Sequence, residues 1–511
     1  MTRRISEPLP GFMKRESVVS LVGSRRTESL VAYPSTEAEC RETLAFARRN
    51  GLSICPRGSG HSYGDLPLND GHLLLNTTGM DRILAFDEVG GRMTVQGGVK
   101  IIDIYKRAHH HLFTLAASPT EATITVAGAI AVNVHGKDSW RVGNFGEQVR
   151  HLKLLTASGE TISIDRAEHK ELFQAVIGGM GLLGIILEAT IQLKRIPSPF
   201  LEISRIPVRD LRELFDQMEH LETTSDFAVV WLDSCARGAK LGRGVIHATK
   251  WIPRDTTADQ LREAVSSGFR RLATRRRQAL ALYGVVDWTI SAALQAQTTV
   301  VRFFNSLYYV YSRLRRRLGT AGNVELFLRY NFDASFTVPP PATLCGPHGY
   351  TIQVSVPRHD APETITEMIE ICQRSPCPSV TTIMRVHKSD DHLISFSEDG
   401  YSLNFVFHPK KRHLERMRPF IDAFIECVIR HRGKVHLAKD MILTRDQFQR
   451  IYPGYGAFLE VKHRLDPDEL FASDMYRRLI RIAPTPPARH PPPRVLDVHV
   501  SRVPVPPEPA R

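Results

Sequence analysis

Three side chains in this chain are of types and settings that could move a proton: Lys439 in Leu437-Ala-Lys-Asp440, His135 in Val132-Asn-Val-His-Gly-Lys137, and Tyr63 in Ser62-Tyr-Gly-Asp65. The apolar approach to Lys439 would place its ammonium in a confined site, where desolvation can lower a lysine pKa enough to take a hydroxyl proton. Tyr63 belongs to the loop Cys55-Pro-Arg-Gly-Ser-Gly-His-Ser-Tyr-Gly-Asp65, which holds Gly58, Gly60 and Gly64 and follows the strand-length apolar run Leu52 to Cys55. Glycine reaches positive φ and lets a ligand approach the backbone closely. Successive N–H groups in such a loop form a nest that holds a diphosphate without any lysine.

Two further segments are dense in small residues. Residues 116–146 contain Thr125-Val-Ala-Gly128 and the His135 motif, so their backbone can lie against something large and flat; Ile177-Gly-Gly-Met-Gly-Leu-Leu-Gly184 leads into a strand-like Ile185 to Leu193. The Gly-x-Gly-x-x-Gly of a Rossmann fold, between a first strand and helix, is missing. In this order the segments resemble the vanillyl-alcohol-oxidase/p-cresol methylhydroxylase family of FAD-binding oxidoreductases. Arg57-Gly58, Gly143-Asn-Phe-Gly146, Leu465-Asp-Pro467 and Phe471-Ala-Ser-Asp-Met475 narrow the likeness to its branch that oxidises polyprenyl-phosphate pentoses. The likeness spans most of residues 20–480 and is weakest in the middle third.

That resemblance implies an α+β fold: a two-subdomain FAD-binding domain and a second α+β substrate domain built on an antiparallel sheet. It implies an FAD site made by Pro56, Arg57, Gly58, Ser59, Gly60, His61, Ser62, Tyr63, Gly64, Asp65, Thr120, Thr125, Val126, Ala127, Gly128, Val132, Asn133, Val134, His135, Ile186 and His436. Lys439, His135 and Tyr63 become the catalytic residues. A fixed cation at Lys439 would stabilise the charge of a reduced flavin, and His135, after a small-residue strand, would polarise or align the substrate hydroxyl. Gln353, Arg385 and Phe405 are implied in substrate binding, with Arg385 placed to face a phosphate. His61 departs from that branch, which carries arginine there. Histidines in Gly-x-Gly-His-Ser elsewhere in the family bond covalently to the flavin 8α-methyl, so a His61 link and non-covalent FAD both stand open. The implied reaction is hydride transfer from a secondary sugar hydroxyl to flavin N5, in a polyprenyl-phosphate pentose used for cell-wall polysaccharide. An alditol or aldonolactone oxidase with histidyl-linked FAD is the alternative. The electron acceptor, oxygen or a partner reductase, is not legible.

A chain of 511 residues is too long for one ordinary core. Formal net charge is +13, a balance that suits nucleic acid, anionic lipid or a phosphorylated substrate. Zinc-finger, helix-turn-helix and RNP-like patterns are missing, so nucleic acid is not expected. The seven cysteines are scattered, without Cys-x-x-Cys, which argues against a metal site and for reduced thiols in a cytoplasmic setting. The N-terminus lacks the apolar run of a signal peptide, and no stretch reads as a spanning helix. Arg275-Arg-Arg277 and Arg313-Leu-Arg-Arg-Arg317 flank about thirty-five largely apolar residues, read as amphipathic helices that pack on their own sheet or rest on the inner face of an anionic membrane.

These patterns divide the chain into a leader (1–18), an FAD-binding domain (19–196), a substrate domain (197–430), a C-terminal segment completing the FAD domain (431–482) and a proline-rich disordered tail (483–511). Helices are expected from Glu37 to Asn50 and Val99 to His111, and a hairpin turn at Ser158 to Glu160.

Overall fold

Strand β1 (Met13–Val19) pairs antiparallel with β2 (Arg26–Ala32). The strands β3 (Ile54–Arg57) and β4 (Leu73–Asn76) join in parallel, giving the order β1-β2-β4-β3. The computed structural model describes residues 7–21, 23–271, 274, 298–314, 320–322, 327–328, 350–377, 379–407, 409 and 414–481. Residues 13–18, expected in a loose leader, are thus part of a strand. Met13 is buried in the core under this sheet, and Val18 packs against Val31, Cys55 and Leu74. Burial of even two such side chains outweighs the absence of strong local signal. The helix Glu37–Arg49 starts at a capping box, Thr36 with Glu39, and presses Cys40, Leu44 and Phe46 into the same core.

The second sheet contains β5 (Ile83–Phe86), β6 (Arg92–Gln96), β8 (Val149–Leu155), β9 (Thr161–Asp165) and β10 (Ile185–Gln192), in the order β5-β6-β10-β8-β9. Its β8–β9 hairpin turns where Ser158, Gly159 and Glu160 stand, with Leu155 opposite Thr161. The helix expected over Val99 to His111 forms as Ile101–Ala108 with a 3₁₀ turn, His109–His111. A short ladder of β7 (Phe113–Thr114) and β11 (Lys194–Arg195) closes this part, and Pro197 and Pro199 follow it.

The third sheet is antiparallel throughout. It has eight strands: β12 (Leu201–Val208), β13 (Phe227–Leu232), β14 (Gly244–Trp251), β15 (Thr320–Gly322), β16 (Tyr350–Pro357), β17 (Ser379–His387), β18 (Gly400–Phe407) and β19 (Lys434–Val435). Their order is β15-β12-β14-β13-β17-β18-β16-β19. The fold is therefore α+β, with the antiparallel sheet as the second layer system. Strand β19 belongs to the segment expected to rejoin the FAD domain, yet it pairs with β16 at Val354 and Ser355. Beyond it the chain does return to the first sheet, where Phe471 bridges Ile54. The chain up to Ile480 is one compact unit. The proline-rich tail, and residues 275–297 and 315–319 of the basic-flanked segment, lie outside the described residues.

Candidate active site

Glycine decides the path of the loop after β3. A Cβ on Gly58 would collide with Thr125 Oγ1, and one on Gly64 with the Asp440 carbonyl oxygen; Gly60 sits at φ +73°. The loop is bolted to the segment that carries Lys439. Tyr63 N–H donates to the Ala438 carbonyl at 2.8 Å. Arg478 forks onto Asp65, with Nε and Nη2 each 2.7 Å from its oxygens, and reaches Asp440 Oδ2 at 2.8 Å. Asp65 is thus a brace between the loop and the Lys439 turn and does not line the cavity described below, and Gly64 packs on backbone. Asp440 in turn accepts from the Ile442 and Leu443 N–H groups at 2.9 Å, fixing the turn beyond Lys439.

Across the loop, Thr125 caps the helix Val126–Ala131 through its hydroxyl and the Gly128 N–H. This segment, expected as a small-residue strand, coils because Val126 and Ile130 bury one helical face. Between loop and helix lies a cavity of about 390 Å³. Its lining includes Pro56 to Tyr63, Thr120, Thr125, Gly128, Val132, Val134, His135, Arg385, His436 and Lys439. Sequence reading missed Pro119, Glu121, Ile124, Ala131 and Met180, which also line it. Val126, Ala127 and Ile186 are not on this wall: Val126 is in the core, Ala127 N–H bonds Gly97 O, and Ile186 lies in β10 opposite Leu154. Asn133 is at φ +43°, and its amide ties Gly146 N–H to Asp390, a structural duty.

The third sheet supplies the far wall. Strand alternation puts Gln353, Ser355, Arg385, His387, Ser402 and Asn404 on one face of β16, β17 and β18, because Gln353 pairs with Asn404, and Ser402 with both Ser355 and Arg385. Lys439 Nζ donates to Asn404 Oδ1 at 3.0 Å and lies 5.6 Å from the Tyr63 ring centroid. Phe405, one residue on, points to the opposite face. It is fully buried against Phe424, with centroids 5.2 Å apart, so it belongs to the core beneath the helix Leu414–Arg430 and not to a substrate pocket. A one-residue shift in a strand exchanges the two faces.

Gln353 stands behind His135 rather than on the cavity wall. Its amide nitrogen is 2.7 Å from His135 Nε2. An amide nitrogen only donates, so Nε2 accepts and the ring proton sits on Nδ1. That buried Nδ1 has no hydrogen-bond partner among the described residues. His387 and His436 crowd the same ring, with centroids 4.9 and 5.5 Å away. Burial, with Arg385 and Lys439 adding like charge, holds His135 well below its ordinary value, and His387 and His436 fall to about 3. All three are neutral imidazoles at neutral pH.

The cradle fits FAD on its own terms. It combines a glycine loop that tolerates no side chain at Gly58, a capped small-residue helix and a cation at Lys439. Residues 29–165 match the family model described as an FAD binding domain, and residues 348–479 match that of D-arabinono-1,4-lactone oxidase. The protein is an FAD-dependent oxidoreductase acting on CH–OH groups. It is 26% identical to the decaprenylphosphoryl-β-D-ribose oxidase of Mycolicibacterium smegmatis, covering 88% of this chain and 94% of that one. The L-gulonolactone oxidase of Bos taurus is 23% identical, covering 86% and 92%. The L-gulono-1,4-lactone dehydrogenase of Mycobacterium tuberculosis is 24% identical, covering 88% and 96%. All three relatives are named for a sugar or a sugar lactone.

Proposed function

We propose that the enzyme oxidises a secondary hydroxyl of a polyprenyl-phosphate pentose. The observation that carries this is the charge of the cavity wall: Arg385 and Lys439 line it, and Glu121, far along the chain from both, is its one carboxylate among the described lining residues. Arg385 is nearly buried on the face of β17 that meets the site. A buried guanidinium beside a neutral histidine cluster suits a phosphate, which it can hold bidentately.

Bound FAD supplies the hydride acceptor. His135, its ring held by Gln353, stands on the cavity wall and aligns the substrate. Lys439, positioned by Asn404, stands as a fixed cation where negative charge develops as the hydroxyl is oxidised. Tyr63 packs its ring beside Lys439 and excludes water from that side.

A lipid-linked substrate also gives meaning to the helix Thr298–Leu314. It turns Val301, Asn305, Tyr309 and Ser312 inward and leaves Phe303, Leu307, Val310 and Leu314 outward, the last 81% exposed. Exposed Arg302 and Arg313 flank this stripe, and Arg315, Arg316 and Arg317 follow in sequence. From Ala264 to Val324 the sequence holds ten arginines and a single acid, Asp287. We infer that this face rests on an anionic lipid surface; among the described residues no helix is long and apolar enough to cross a membrane.

The alternative is aldonolactone or alditol oxidation, favoured by the lactone-oxidase match over residues 348–479, which hold Gln353, Arg385 and Lys439. Arg385→Gln separates the two. For a phosphorylated substrate it raises KM by roughly 10- to 100-fold, the worth of a charge-assisted hydrogen-bonding contact. Oxidation of a lactone panel by wild type, with rates indifferent to Arg385→Gln, would replace the phosphate reading with the lactone one.

A further inference from the structure

His61 does not stand alone on the cavity wall. Its Nε2 lies 2.8 Å from Thr123 Oγ1, and Thr123 Oγ1 donates to Glu121 Oε1 at 2.7 Å. The Thr123 N–H points to the same carboxylate oxygen at 3.2 Å, and Ser59 Oγ, from the glycine loop, donates to the Thr123 carbonyl at 2.6 Å. The hydroxyl, the loop and the carboxylate are therefore held in one frame. His61 and Glu121 both line the cavity.

The protons in this chain can be assigned. A threonine hydroxyl has one hydrogen, and here Glu121 receives it. Thr123 therefore only accepts from His61, which places the imidazole hydrogen of the neutral ring on Nε2. The lone pair is then on Nδ1. This selects one ring nitrogen as the nucleophile, in the way a carboxylate that orients a histidine fixes its tautomer elsewhere.

We propose that Glu121 and Thr123 are positioning residues for covalent attachment of FAD, holding His61 so that Nδ1 bonds to the flavin 8α carbon. This rests on the reading that His61 carries the link. In the step, an 8α C–H bond breaks and the Nδ1–C bond forms. The Nε2 proton leaves through Thr123 toward Glu121. The two electrons released go to the flavin ring, which takes up two protons, and dioxygen then accepts them and leaves as hydrogen peroxide. Glu121 lowers the cost of the imidazole's developing positive charge, and Thr123 transmits it.

The test uses full-length protein purified as wild type, His61→Ala, Glu121→Gln, Thr123→Val and Thr123→Ser. Total flavin is measured first, then flavin fluorescence retained by the acid-precipitated pellet. The expected result is pellet flavin in wild type and Thr123→Ser, none in His61→Ala, and at least a tenfold drop in Glu121→Gln and Thr123→Val at unchanged total flavin. Where a variant is purified with less FAD, apoprotein is incubated with saturating FAD in air. Covalent incorporation should then be at least tenfold slower than in wild type. Magnetic resonance of the isolated wild-type flavin peptide should place the bond at Nδ1. Wild-type flavin released wholly to the supernatant ends the His61 link and the relay together. Retention in Glu121→Gln and Thr123→Val at wild-type rates, or a bond at Nε2, overturns the relay and leaves the link standing.

Discussion

Replacing Arg478 by methionine should loosen both walls of the flavin site at once. The guanidinium makes three short contacts to carboxylates, two to Asp65 and one to Asp440, and a fourth to the Leu443 carbonyl at 2.7 Å. The carboxylate side chains are 7% and 0% exposed. Methionine fills much of the volume but leaves two nearly dry anions unpaired. Breaking one buried pair in this way costs about 3–5 kcal/mol. Asp440 keeps its two backbone donors, so the lower end of that range is the better guide. Because Asp65 ends the glycine loop and Asp440 ends the Lys439 turn, the loss falls on the segments that enclose FAD. If about 3 kcal/mol is expressed there, FAD affinity drops by roughly 100-fold. The measurement is FAD titration of apoprotein in a His61→Ala background, where no covalent bond can mask release. The triple change Asp65→Asn, Asp440→Asn and Arg478→Met removes the stranded charges and should recover most of the affinity. An affinity within threefold of the background protein for Arg478→Met alone would refute the brace.

Four further outcomes follow from the same geometry. Lys439→Ala should keep FAD but slow substrate reduction of the flavin by roughly 100- to 1,000-fold, the cost of losing a fixed transition-state charge; normal anaerobic bleaching would remove Lys439 from the chemistry. Gly58→Val should yield colourless protein, since its Cβ meets Thr125 Oγ1; stoichiometric flavin in the purified variant would contradict the cradle. Acid should unfold the enzyme early. His387 and His436 have folded values of about 3 against an ordinary 6.5, so the unfolded chain takes up protons first, and their stabilisation, complete above about 6.5, is lost as pH falls toward 3. Each contributes a slope of up to about 1.4 kcal/mol per pH unit in that window; urea midpoints should fall between pH 7.5 and 5, less so in His387→Phe, and equal slopes would count against this origin. Protein mixed with anionic vesicles should co-sediment and detach as salt rises, with Leu307→Asp and Leu314→Asp weakening recovery; equal recovery with neutral and anionic vesicles would leave the exposed stripe without a lipid role.

The glycine loop and Lys439 were legible because their residue types leave few alternatives. Gly58 and Gly64 have backbone or side-chain atoms where a Cβ would go, and a lysine between an apolar approach and an aspartate announces a confined charge. Phe405 misled because strand register, invisible locally, sets which of two neighbours faces the site; Asn404 won that position. Asp65 and Asn133 lie inside the right motifs but serve as braces, since their partners, Arg478 and Asp390, are hundreds of residues away. Glu121 and Thr123 carried a faint signal, polar residues in a turn beside the small-residue segment, and only folding brings them to His61. His387 gave none, as a lone histidine in an apolar strand reads as core. The edge strand β1 was hidden by its charged, half-exposed pattern, Lys14, Arg15 and Glu16, which reads as a solvated leader until β2 is placed beside it.

The most direct test of the whole account is anaerobic mixing of purified wild-type enzyme with a polyprenyl-phosphate pentose while the visible flavin spectrum is recorded. The account predicts a yellow protein whose long-wavelength flavin band bleaches in one stoichiometric turnover, with the matching keto sugar recovered. A protein that carries no flavin, or one whose flavin stays oxidised with this substrate and bleaches only with free lactones or alditols, would contradict it.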